Sequence, residues 1–126
     1  MKKQAISSEH APKALGPYSV ANKAGEWVFC SGQLGLDPQT NEFALGGVEA
    51  ETRQALKNLG HVLEAAGSSL ENVVKTTVFL RDMADFPKMN AVYAEFFNGN
   101  YPARSTVQVA ALPRGGAVEI EAIACV

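Results

Sequence analysis

Residues 118–125 read Val-Glu-Ile-Glu-Ala-Ile-Ala-Cys, and their side chains alternate with the two-residue period of a strand. Val118, Ile120, Ala122 and Ala124 point one way. Glu119, Glu121, Ile123 and Cys125 point the other. A second strand-like run, Glu26 to Leu34, repeats the pattern. Val28, Cys30 and Leu34 share one face, and Trp27, Phe29, Ser31 and Gln33 share the other. Both faces carry large apolar groups, so a sheet built from these runs needs cover on both sides.

The spacing predicts a helix from about Val48 to Ala66. Val48, Thr52, Ala55, Leu56, Leu59, Leu63 and Ala66 recur at steps of three and four, while Glu51, Arg53, Lys57 and Glu64 lie opposite. Gly67-Ser68-Ser69 ends it. A second helix starts near Asp85, a candidate N-cap, with Pro87 in its first turn. It runs to about Phe97, with Phe86, Met89, Tyr93, Phe96 and Phe97 as its apolar side, and Asn98-Gly99-Asn100 stops it. The remaining runs read as strands. They are 2–8, Tyr18 to Lys23 (joined to the next strand at Ala24-Gly25), the β-branched Val73 to Leu80, and Ser105 to Ala110. The order β-β-β-α-β-α-β-β predicts an α+β fold, a two-layer sandwich with a six-stranded sheet and two helices on one face.

Two helices leave the second face with Trp27, Phe29 and Ile123 exposed. Aromatic side chains bury ~150–250 Å2 each, so at ~25 cal/mol per Å2 covering that face is worth several kcal/mol per subunit. Another copy of the same sheet is the simplest cover, which predicts a homo-oligomer.

With 126 residues, 47% of them apolar, the chain is read as a single domain, 1–126. A net charge of -2 and no basic stripe beyond Lys2-Lys3 argue against nucleic acid as a partner. Residues 1–17 contain no apolar signal-peptide core, and no run reaches the length of a membrane span. Cys30 and Cys125 fall in apolar runs and read as reduced core thiols of a cytoplasmic protein.

The chemistry-bearing residues collect near the C-terminus. Arg104 follows Tyr101-Pro102-Ala103, and alternation places Arg104, Thr106 and Gln108 on one side of their strand. A guanidinium suits a small carboxylate, and the row Glu119/Glu121 suits a water or an amine. Were the last two strands a hairpin through residues 111–117, these polar rows would face each other. An arginine that merely pairs with Glu119 or Glu121 on the surface is the plainer alternative. Ser31 and Gly32 lie in the middle of a central strand, where glycine marks a bulge or an open backbone. Tyr18 follows Gly16-Pro17 and is either a rigidly placed phenol or a core tyrosine. Asn90 is polar within an apolar helix row. His10 and His61 have no carboxylate or cysteine at ligand spacing, and no three-ligand metal site, nucleophile elbow or phosphate loop is legible.

The segments Gly16-Pro17-Tyr18-Ser19, Ser31-Gly32-Gln33, Val74-Lys75-Thr76-Thr77-Val78-Phe79, Tyr101-Pro102-Ala103-Arg104-Ser105 and Val118-Glu119-Ile120-Glu121-Ala122, with Asn90, resemble the RidA (reactive intermediate deaminase) family over nearly the whole chain. The resemblance implies a chorismate-mutase-like fold and a homotrimer whose three sheets form a central barrel, with active sites in clefts between subunits. It implies hydrolysis of 2-imino acids such as 2-iminobutanoate and 2-iminopropanoate to 2-oxo acids and ammonia, without cofactor or metal. By position it makes Arg104 the carboxylate-binding residue and Glu119 the water-orienting one, and it puts Tyr18, Ser31, Gly32, Asn90 and Thr106 in the substrate pocket. Thr106 stands where many bacterial members have cysteine, so no covalent cysteine step is assigned. The alternatives are a non-catalytic trimer that binds small oxo or amino acids, a translation inhibitor or endoribonuclease, and a chorismate mutase. One arginine is thin provision for the last, whose substrate has two carboxylates.

Overall fold

The computed structural model describes residues 1–126. Six strands form one mixed sheet: β1 (Lys3–Ile6), β2 (Ala21–Ala24), β3 (Trp27–Leu34), β4 (Val73–Leu80), β5 (Ala103–Gln108) and β6 (Val118–Cys125). Their order across the sheet is β1-β2-β3-β6-β4-β5. Helix α1 (Gly47–Ala65) connects β3 to β4, and α2 (Phe86–Ala94) connects β4 to β5. Each helix follows one strand and leads to another running in the same direction. β4 and β5 are therefore parallel neighbours, whereas β3 and β4 are separated by the antiparallel β6.

The apolar stripe of α1 forms the centre of the core. Leu56, Leu59, Val62 and Leu63 are fully buried, each worth roughly 1.5–3 kcal/mol in burial. They meet Val28, Val78, Leu80, Val118, Ile120, Ala122 and Ala124 from the sheet. Gly35 permits the close approach of α1, because a Cβ there would lie 2.5 Å from the Glu51 backbone. Asn58, wholly buried in the same stripe, donates to the Leu34 and Leu36 carbonyls and ties α1 to the end of β3.

Several sequence expectations shift. Tyr18 to Val20 lie outside the sheet, and β2 begins at Ala21. Asp85 makes no side-chain cap. Asp82 does so instead, accepting from the Ala84 N–H to start a short 3-10 turn that runs into α2. α2 ends at Ala94 rather than near Phe97, and residues to Gly99 continue as turns. In β3 the register against β6 slips between Cys30 and Gln33. This bulge at Ser31-Gly32 reverses the expected alternation, so Gln33 is buried and Leu34 pairs with Glu119. The face away from the helices is open, with Trp27 45% and Phe29 48% exposed.

Candidate functional site

Arg104 is set by the parallel pairing of β4 and β5, which places it opposite Thr76. Thr76 is buried beneath α2, so Arg104 emerges on the helix side of the sheet. There its guanidinium carbon lies 4.7 Å from the centre of the Tyr93 ring and 5.4 Å from that of Phe86. No carboxylate pairs with it, since the one ion pair in the chain joins Arg53 to Glu95. Arg104 lines a cavity of about 430 Å3 with Asn90, Tyr93, Ala94, Tyr101 and Pro102. Thr106, two residues further along the same face, has a buried hydroxyl without a hydrogen-bond partner. Asn90 projects from α2 with its side chain exposed and free of internal hydrogen bonds.

Glu119 belongs to a different wall. It leaves β6 on the open face, in register with Leu34 of β3 and Phe79 of β4. Its carboxyl rests on the β3 bulge. A Cβ on Gly32 would stand 2.7 Å from the Glu119 Cδ, so glycine is required for the side chain to lie where it does. Burial, and less strongly the charge of Glu121, raises the Glu119 pKa above the ordinary carboxylate range. Tyr18, Gly32, Gln33, Lys13, Arg114 and Glu119 are among the residues around a second cavity, of about 200 Å3. Ser31 anchors this wall. Its hydroxyl donates to the Ser19 carbonyl at 2.6 Å, and its N–H donates to the Val20 carbonyl at 2.9 Å. The segment carrying Tyr18 is thereby pinned to the bulge, with the phenol 55% exposed rather than in the core.

The expected facing of the two polar rows does not occur. β4 lies between β5 and β6, and Arg104 is level with Thr76 whereas Glu119 is level with Phe79, so the two are two strand spacings across and three residues along, roughly 14 Å, before their side chains diverge to opposite faces. Neither the surface ion pair nor a single-chain cleft between them forms. The sequence-predicted residues instead fall into two groups. Arg104, Asn90 and Thr106 lie on the helix side. Tyr18, Ser31, Gly32 and Glu119 lie around the bulge.

Reading the sequence passed over Tyr93 and Tyr101 as site components. Tyr101 sits in the Tyr101-Pro102-Ala103-Arg104 run, so proximity was the available signal. Tyr93 was hidden in an apolar helix row. The histidines meet each other, with the His61 ring 2.9 Å through Nδ1 from the His10 carbonyl, and they tie the N-terminal loop to α1 without lining either cavity. No three His, Cys, Asp or Glu side chains converge as ion ligands. Cys30 and Cys125 are unpaired, Cys30 buried and Cys125 half-buried. No helix is long and apolar enough to cross a membrane.

Residues 8–126 match the endoribonuclease L-PSP family. A mouse protein named 2-iminobutanoate/2-iminopropanoate deaminase is 54% identical over 122 residues, which cover 97% of this chain and 90% of that protein. The crystal structure of RidA from the Antarctic bacterium Psychrobacter sp. superposes with a TM-score of 0.94 at 48% identity, over 98% of this chain and 99% of that one. TdcF of E. coli, solved with bound serine, gives a TM-score of 0.93 at 42% identity, covering 98% of each chain.

Proposed function

This chain belongs to the endoribonuclease L-PSP family, and we infer that it is a deaminase that hydrolyses reactive 2-imino acids, and the enamines they tautomerise with, to 2-oxo acids and ammonia. The observation that carries this reading is the pairing of chemistries in the two walls. One wall offers a guanidinium with no internal carboxylate. The other offers a carboxylate whose pKa is raised.

The substrate carboxylate takes two parallel N–H bonds from Arg104, a geometry that lysine does not offer. Glu119 accepts a proton from water as the water oxygen bonds to the imine carbon. The C=N bond becomes a C–N single bond in a carbinolamine. For an imine protonated at the outset, return of that proton to nitrogen makes ammonia the leaving group, and the C–N bond breaks as the carbinolamine hydroxyl gives its own proton to Glu119 and the C=O bond forms. A carboxyl with a raised pKa is, when ionised, a stronger base toward the attacking water than an ordinary carboxylate. The orphan hydroxyl of Thr106 lies on the same strand face as Arg104 but is buried in the single chain, so it would reach substrate only after a local rearrangement.

One ligand bridges both walls only if they come from different copies. That asks for more than one copy, and the family resemblance makes the assembly a homotrimer, in which Arg104, Asn90 and Thr106 of one subunit would face Tyr18, Ser31, Gly32 and Glu119 of its neighbour. Support comes from the opposite-face placement of the two groups and from the half-exposed Trp27 and Phe29 on the open face. Two unpaired thiols suit a cytoplasmic setting. Cleavage of RNA, despite the family's name, is disfavoured by the net charge of -2.

The test generates 2-iminobutanoate in place with a threonine dehydratase and follows its disappearance. Added protein is expected to accelerate the decay. Arg104→Ala is expected to lose about 2–5 kcal/mol of transition-state stabilisation, read as kcat/KM. Decay no faster than in buffer refutes the assignment. A change below about threefold in Arg104→Ala removes that residue from the site.

A further inference from the structure

We propose that Tyr93, assisted by Phe86, is the positioning residue for Arg104, forming an aromatic platform that holds the guanidinium for a carboxylate in place of a counter-ion. The inference rests on the carboxylate-clamp reading above and adds how the clamp is aimed and left unoccupied.

The geometry begins with the register of α2. Phe86, Asn90, Tyr93 and Phe97 are spaced by four, three and four residues, so the first three present one stripe along the helix. The parallel strands bring Arg104 over this stripe, 5.4 Å from the Phe86 ring centre and 4.7 Å from that of Tyr93. Both distances lie within the ~6 Å reach of a cation–π contact. The Tyr93 ring is itself fixed at two further points. Its hydroxyl shares a buried 2.7 Å hydrogen bond with the Thr76 hydroxyl, and Thr76 is the residue that pairs with Arg104 across β4 and β5. Its ring packs on Phe97 with centroids 4.8 Å apart. Burial raises the Tyr93 pKa, so the phenol remains neutral beside the guanidinium.

A half-buried arginine is commonly steadied by a carboxylate, which would then compete with an anionic ligand. An aromatic face avoids the competition because the two contacts use different directions. The ring attracts the flat face of the guanidinium, while its N–H donors radiate in the plane and stay free for a bidentate carboxylate. Asn90, between the two aromatic residues on the same stripe, adds a polar group to the cavity that Tyr93 and Arg104 line.

The test measures binding of 2-oxobutanoate, and of its neutral amide, to the full-length protein by calorimetry. Tyr93→Leu is expected to weaken the oxo acid by about 3- to 30-fold and the amide by less than twofold. Tyr93→Phe keeps the ring and is expected to bind the oxo acid within about twofold of the parent. In an Arg104→Ala background the Tyr93→Leu change is expected to cost nothing further, since the residue it serves is gone. Phe86→Leu, at a half-buried position, gives the same readout if Tyr93→Leu fails to fold. The platform is refuted if Tyr93→Leu, or Phe86→Leu in its place, binds the oxo acid like the parent while Arg104→Ala does not. It is equally refuted if acid and amide weaken together. Parental binding of the oxo acid by Arg104→Ala overturns the clamp reading itself, and the platform with it.

Discussion

The opposite-face placement of Arg104 and Glu119 makes a numerical prediction about mixed assemblies. Arg104→Ala and Glu119→Gln should each be nearly inactive. If the two preparations are dissociated and reassembled together in equal amounts, each interface draws its Arg104 wall and its Glu119 wall independently. The chance that both are intact is one half times one half, so about one quarter of parental activity should return, whatever the number of subunits in a closed ring. A second mixture sharpens the result. Parental chains reassembled with equal amounts of the Arg104→Ala/Glu119→Gln double variant should retain about one quarter of the activity if sites are shared, and about one half if each chain holds its own. The assay is imine consumption at fixed total protein, with unexchanged mixtures as the baseline. No recovery in the first mixture together with one half in the second would refute the shared site.

Gly32→Ala should push the Glu119 carboxyl off the bulge, because the new methyl would sit 2.7 Å from Cδ. A displacement near 1 Å is expected to lower kcat by about 10- to 100-fold, with binding of an oxo acid, measured by calorimetry, changed far less. The raised pKa of Glu119 places the acid limb of kcat/KM above the ordinary carboxylate range, and Glu121→Gln, which removes the lesser of its two causes, should move that limb to lower pH. The same shift has a stability consequence. The native state holds the Glu119 proton more tightly than the unfolded chain, so stability falls as pH rises from the ordinary carboxylate value through the raised one. Glu119→Gln should flatten that part of a pH series of denaturant midpoints. Burial pushes the Cys30 thiol up from 9.0 to about 12, so a thiol reagent at pH 8 should leave Cys30 unlabelled until denaturant opens the fold.

Much of the architecture was readable from local pattern. The periodicity of α1 and the alternation of β6 located those elements almost to the residue, because both are amphipathic over more than seven residues. Strand neighbours were not readable in the same way. β5 and β6 are consecutive and separated by a short loop, which suggests a hairpin, but β5 is claimed by β4 through the crossover of α2. That choice depends on packing α2 against the sheet and leaves no mark in the turn between β5 and β6. The bulge was half legible. Gly32 signalled it, but only the slipped register shows that Gln33 turns inward and that the glycine makes room for Glu119. For the candidate site, charge made Arg104 and Glu119 conspicuous, Asn90 stood out as a polar residue in an apolar row, alternation put Thr106 beside Arg104, and family resemblance assigned the last two to a pocket. Tyr93 stayed hidden because an aromatic ring in an apolar helix row looks the same whether it fills a core or supports a cation.

The chain carries a single tryptophan, Trp27, and it lies on the open face at the end of β3, beside Cys125 of β6. Indole emission shifts to the blue when the ring leaves water. The protein therefore has an intrinsic optical gauge of whether that face is covered, so dilution experiments on its assembly require no attached dye.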